Sequence, residues 1–246
     1  MPSTSPVLWL SDTPIPDPAA WWARCQKQVR DTGLRPVLYS WPSDPYHPQF
    51  PDDGPESQLE ADLEASWCSY RALQLRQQAE PYEPYQLPEG VMDWEEDPGP
   101  PYDRWPGLAP AGVATDNGDP DDTAQLVIEK LTAGHHGLKD AHLALVPAAH
   151  SGDIPAVIGW SADAPRASLC TMLRSWEKRF GTHVVAIEGA TVYVSVARPP
   201  QTVAHATHIA LEHVLTGADN INDGTTPFPY YAESLIGTHL WSFWWD

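Results

Sequence analysis

The sequence predicts a mixed α/β fold: one domain over residues 1–246, with a mixed central sheet and flanking helices. Three observations carry this. Short β-branched runs alternate with segments whose apolar residues recur at helical steps. Two such runs, 183–187 and 191–196, are joined by Glu188-Gly189-Ala190, a tight-turn signature that predicts an antiparallel hairpin. At 246 residues the chain is long enough to bury a substantial core.

Taken in order, residues 6–10 read as a first strand. Asp17 then caps a helix with Pro18 at its first position, running through Trp21, Trp22, Cys25 and Val29 to Gly33. Residues 35–41 form a second strand, and strand, helix, strand in this order predicts two parallel strands joined by a crossover. A Pro-rich acidic loop, 42–55, leads to the longest helical pattern, 56–78. There Leu59, Leu63, Trp67 and Tyr70 share a face, and Glu60, Asp62 and Glu64 point elsewhere.

Residues 80–120 break all periodicity. Pro, Gly, Asp and Glu dominate, but Tyr82, Tyr85, Trp94, Tyr102 and Trp105 are too many aromatics for a spacer. We read the stretch as an irregular surface strap within the domain. Asp121 or Asp122 caps the next helix, which ends near Gly134. Residues 142–147 and 154–160 read as strands around the Ser151-Gly152-Asp153 loop. Asp163 and Pro165 open a helix whose stripe is Leu169, Met172, Leu173, Trp176 and Phe180, with Arg174, Glu177, Lys178 and Arg179 largely on other faces. Gly181 suits its C-cap. Thr202 caps a helix to about Thr216, and residues 240–246 form a last strand with aromatics on both faces.

The formal net charge is −19, and most of it lies in residues 40–122, where 19 Asp and Glu face Arg71, Arg76 and Arg104. Such a field repels phosphate backbones, so no nucleic-acid partner is expected. A basic protein partner is favoured, with plain solubility as the ordinary alternative. Cys25, Cys68 and Cys170 form no CxxC pair, which points to inert thiols in a reducing cytoplasm. The first residues lack the basic and apolar regions of a signal peptide, and no run approaches the length of a membrane span, so no membrane partner is expected.

Candidate chemistry is sparse. His205, His208 and Glu212 fall at steps of three and four on one helix, a set whose donor types suit zinc or iron. The apolar face of that helix belongs to Val203, Ala206, Ile209, Ala210 and Val214, so the trio reads more simply as a solvated face, and no metal or cofactor is assigned. Glu212 and His213 are adjacent and point about 100° apart, so they make no dyad by themselves; a hydrogen-bonded core histidine is the plainer account of His213. Glu177 and Arg179 beside Trp176 suit a cleft rim or a surface ion pair. Trp241, Trp244 and Trp245 suit a stacking platform or core packing. No GxGxxG, GxxxxGK[ST] or GxSxG motif is present.

Residues 174–181 (RSWEKRFG), 196–200 (VARPP), 210–213 (ALEH) and 241–246 (WSFWWD), with 105–110 (WPGLAP) and Gly159-Trp160, resemble a bacterial domain-of-unknown-function family, number 4253. The likeness is densest over residues 140–246, the family-like C-terminal core. The family's Cys-Pro-Asp run after its Glu-His reads here as Thr216-Gly-Ala-Asp219-Asn220, which keeps Asp219 and lacks the cysteine. The resemblance implies a small bacterial intracellular protein and supplies no reaction.

Two functions follow as expectations. One is a non-enzymatic, immunity- or accessory-type binding factor that uses Trp94, Trp105, Trp176, Arg179, Trp244 and Trp245. The other is a small enzyme with a pocket around Glu212, His213 and the C-terminal tryptophans, with Glu177 and Asp219 as further candidates.

Overall fold

The computed structural model describes residues 8–40, 56–79, 97–113, 118–134, 137–160, 162, 164, 166–222 and 226–246. Among these, six strands form one mixed sheet: β1 (Trp9–Leu10), β2 (Leu34–Ser40), β3 (His142–Pro147), β4 (Thr182–Glu188), β5 (Thr191–Val196) and β6 (Leu240–Trp244). Their spatial order is β1-β3-β2-β4-β5-β6. All neighbours are antiparallel except β2 and β4.

The hairpin forms as its turn predicts, with Thr191 opposite Glu188. The N-terminal unit differs from expectation. β1 and β2 do run the same way, but β3 lies between them and pairs antiparallel with both. The crossover rule fixes strand direction and leaves adjacency open, and β3 arrives from more than 100 residues downstream to take the central place.

Helices cover both faces. On one, α1 (Pro18–Gln26) and α4 (Pro120–Ala133) pack over Leu38, Leu143, Val185 and Ala186. The first helix stops earlier than its pattern suggests, and a separate turn, α2 (Val29–Thr32), runs to Gly33 at φ 68°. The cap of α4 is Asp119, whose Oδ1 accepts from the amides of Asp121 and Asp122, with Pro120 at the first position. The choice of Asp121 or Asp122 is thus corrected to Asp119, two or three residues earlier, since the proline rule places the cap directly before Pro120.

The other face carries α3 (Glu56–Ala79), α5 (Ile154–Val157), α6 (Arg166–Phe180), α7 (Val203–Val214), α8 (Asp219–Asn222) and α9 (Phe228–Ser234). Strand alternation supplies their floor: Val37, Ala144, Val184, Val194, Trp241 and Phe243 point to this side. The α6 stripe is buried throughout. Residues 154–160 are not a strand. They follow a 3₁₀ turn (Ser151–Asp153) and form α5 and a turn at Gly159 with φ 69°, packed against α6. A short apolar run is equally compatible with a buried turn and a strand, and Pro155 settles it by presetting a helical φ. Gly152 is packed so closely that an added Cβ would lie 2.8 Å from the Arg174 amide.

Of the strap, 97–113 and 118–120 are described, while Trp94, Asp163 and Pro165 lie outside the described residues. Residues 97–113 are irregular and run along α3, α6 and α7. Gly112 donates to the Arg179 carbonyl at 3.0 Å, and a Cβ there would meet the Arg198 carbonyl at 2.4 Å.

Candidate functional site

The sequence candidates converge on α6 and α7, and they converge inward. Glu212 lies on a turn of α7 flanked by Ile209, Ala210 and Leu211, all fully buried, and is itself 0% exposed. Its carboxylate would be costly there without partners. Arg179, one helical turn after Ser175, supplies them: Nη1 donates to Oε1 and Nη2 to Oε2, each at 2.8 Å. The Trp176 indole donates to Oε2 at 2.7 Å, and the Ala109 amide donates to Oε1 at 2.7 Å. Arg179 also donates to the Ala109 carbonyl at 2.8 Å and to Ser175 Oγ at 3.1 Å. Two helices and the strap are therefore locked by one bidentate ion pair with both carboxylate oxygens doubly satisfied. This corrects two expectations. Arg179 does not lie on an outer face, and Glu212 does not share a solvated face with His205 and His208.

Those two histidines do the same job at the surface. His205 Nε2–H donates to the Pro110 carbonyl and His208 Nε2–H to the Gly107 carbonyl, both at 2.8 Å. A carbonyl only accepts, so Nε2 must be the protonated nitrogen in each. The helical spacing that suggested a metal set instead lines up three rungs on residues 107–110. Among the described residues no group of three His, Cys, Asp or Glu side chains could hold a metal ion.

His213 is also 0% exposed. Its ring is boxed edge-to-face by Trp176, Trp241 and Phe243, with centroids 4.9, 4.5 and 5.0 Å away. Nδ1 lies 2.8 Å from the Tyr231 hydroxyl, and Nε2 has no hydrogen-bond partner among the described residues. The Nδ1–Tyr231 bond forms with either tautomer of the ring. Burial, aided by the Arg179 charge, pulls the imidazole pKa down to about 3, so the ring is neutral. Burial likewise raises the Tyr231 hydroxyl.

The remaining candidates separate. Trp176 and Trp245 are core residues, and Trp245 packs edge-on to Trp160 at 5.4 Å. Trp105 is half-buried and Trp244 is exposed on the edge strand. Asp219 Oδ2 accepts from the Asp246 amide at 2.7 Å, and the neighbouring Asn220 brackets the β6 edge by donating to the Ser242 carbonyl and accepting from the Trp244 amide. Glu177 holds the 150–153 turn: Oε2 accepts from Ser151 N at 2.9 Å and Ser151 Oγ at 3.1 Å. Its Oε1 lies 3.7 Å from His150 and 4.0 Å from Arg35. A groove of about 460 Å³ opens beside it, walled by Leu59, Thr171 and Arg174.

Sequence reasoning missed a second, partly open cavity of about 440 Å³, lined by α3, α7, α8, α9 and residue 97 of the strap. Tyr70, Asp97, Asn222, Phe228 and Tyr231 are among its lining. Asp97 Oδ1 accepts from the amides of Gly99 and Phe228, which fixes the carboxylate at the wall. The one available signal was Tyr70, the polar end of the α3 stripe.

The fold and this clamp define a mixed α/β domain whose helical layer is pinned by a buried ion pair. Residues 142–246, from β3 to the end of β6, match the family model described as Domain of unknown function (DUF4253). No curated protein and no solved structure matches the chain. Arg179, Trp176 and Glu212 lie inside the matched span, and Ala109 lies outside it. No helix among the described residues is long and apolar enough to cross a membrane.

Proposed function

We propose that the chain is a non-enzymatic binding factor, of immunity or accessory type, that offers an acidic, aromatic face to a basic protein partner. The observation that carries this reading is the burial of Glu212 and His213. Both are fully enclosed and bonded into the scaffold, so the groups best suited to catalysis serve as fasteners. Acids outnumber bases on the outside of α3 and the strap: Glu60, Asp62, Glu64, Asp97 and Asp103 are exposed there beside half-buried Tyr102 and Trp105, with Arg76 and Arg104 among them. Complementary charge would speed encounter with a basic partner and select against acidic ones. None of Cys25, Cys68 and Cys170 is in a disulfide, which fits the reducing bacterial cytoplasm that the family resemblance implies.

The test is capture by the whole protein across a salt series. The reading expects a basic protein to be retained at about 0.05 M salt and released by about 0.5 M as the Debye length shrinks. It also expects Asp62→Lys/Glu64→Lys/Asp103→Lys to lose that protein. A partner indifferent to both salt and charge reversal, or no partner at all, would defeat it.

A further inference from the structure

We propose that the cavity between α3, α7, α8 and α9 receives a lysine or arginine side chain of the basic partner, with Asp97 as its counter-ion; this rests on the binding reading above. The lining has the three parts such a guest requires. Tyr70, Phe228 and Tyr231 supply aromatic rings, which attract a cation through their faces. Leu73, Val214 and Ile221 supply apolar wall for a methylene stem. Asp97 supplies the charge, and no Lys, Arg or His is among the described lining residues.

The hydrogen-bond roles agree. Both bonds to Asp97 fall on Oδ1, so its second oxygen is the one a guest N–H meets. Asn222 spends one of its two amide N–H groups on the Val214 carbonyl, and its amide oxygen is an acceptor. The Tyr231 hydroxyl is already paired with His213 Nδ1 at 2.8 Å, which fixes its ring in the wall. Arg71, beside Tyr70 on α3, is engaged: Nη1 donates to Gln74 Oε1 at 3.2 Å and Nη2 lies 3.9 Å from Asp103 on the strap. Asp97 is the charged group of the described lining, and with aromatic rings beside it this selects a cation over an anion. A cavity of about 440 Å³ is roomy enough for either side chain.

The experiment titrates the intact ¹⁵N-labelled protein with N-acetyl-lysine amide, N-acetyl-arginine amide and, as the uncharged analogue of the same stem, N-acetyl-norleucine amide. The cationic probes are expected to give saturable shifts at the amides of Tyr70, Phe228 and Tyr231 below about 20 mM, a weak affinity suited to a single side chain. Norleucine amide should give none. Asp97→Asn keeps the Oδ1 acceptor for Gly99 and Phe228, so it should fold with unchanged thermal midpoint and bind the cations about tenfold more weakly or worse. Equal shifts from norleucine amide, no shifts from any probe, or full affinity in Asp97→Asn would each overturn the proposal. The two readings part cleanly in the capture assay. If Asp97→Asn retains the partner in full while the Asp62/Glu64/Asp103 reversal loses it, the cavity role fails and the acidic face stands.

Discussion

Arg179 and Glu212 are each other's reason for being buried. Desolvating two charges costs several kcal/mol per ion, and only a bidentate geometry with every remaining donor and acceptor satisfied offsets it. Here the carboxylate takes four hydrogen bonds and the guanidinium gives donors to Ala109 and Ser175 as well. Glu212→Gln keeps the shape and strands a buried cation, so chemical denaturation should show a loss of about 3–5 kcal/mol. Arg179→Met with Glu212→Leu should be less damaging than either single change, because no uncompensated charge remains. A double variant as unstable as the sum of the singles would refute the pair as a coupled unit. His213 makes a second residue-scale prediction. Its folded pKa, about 3, lies below the unfolded value near 6.5, so the unfolded state binds the extra proton between those limits. Its contribution is complete above pH 6.5 and falls as pH drops, by up to about 1.4 kcal/mol per pH unit. Denaturation of wild type and His213→Phe at pH 6.5 and pH 5 should show a shallower loss in the variant. Parallel losses would mean that the imidazole titrates normally.

At the scale of elements, the strap is held to α7 by three rungs from one helix face, those of His205, His208 and Glu212. Replacing both histidines with alanine removes the outer two and should cost about 1–2 kcal/mol. Hydrogen exchange of a peptide covering 105–113 should accelerate while α6 keeps its protection; unchanged exchange would show the rungs to be idle. The β6 edge offers the sheet-level counterpart. Asn220 occupies the Ser242 carbonyl and the Trp244 amide, so the last strand presents fewer open ladder groups to another copy. Asn220→Ala should therefore raise the concentration-dependent mass in light scattering, and a mass that stays constant would count against the bracketing role. These elements also show what could be read from residues alone. Caps and stripes are local, so the α6 stripe, the Thr202 cap and the Gly181 stop were visible in sequence. Insertion of β3 between β1 and β2, and the meeting of Arg179 with Glu212 and Ala109, depend on contacts 33 to over 100 residues apart. Nothing in a window of one helix encodes them. One signal was there and underweighted: Glu212 stands directly after Ile209-Ala210-Leu211 and before Val214, an almost unbroken apolar run in which a carboxylate is expected to be buried and paired.

For the whole molecule, charge imbalance is the dominant electrostatic fact. There are 33 Asp and Glu against 14 Lys and Arg, and the Arg179–Glu212 ion pair is shielded from solvent and so barely feels added salt. The exposed attractions are weak by comparison. Arg71 and Asp103 sit 3.9 Å apart with the carboxylate fully exposed, and such pairs contribute little. Screening therefore removes more repulsion among α3, the strap and the start of α4 than it removes attraction. Raising NaCl from about 0.05 to 0.5 M shortens the Debye length from about 14 to 4 Å, and unfolding stability should rise across that range, by about 1 kcal/mol. The Asp62→Lys/Glu64→Lys/Asp103→Lys variant, which changes the net charge by six without touching the core, should show a smaller rise. If stability instead fell with salt, surface ion pairs would be holding the fold together, and the acidic face would have to be explained as part of the scaffold rather than as a field kept for a partner.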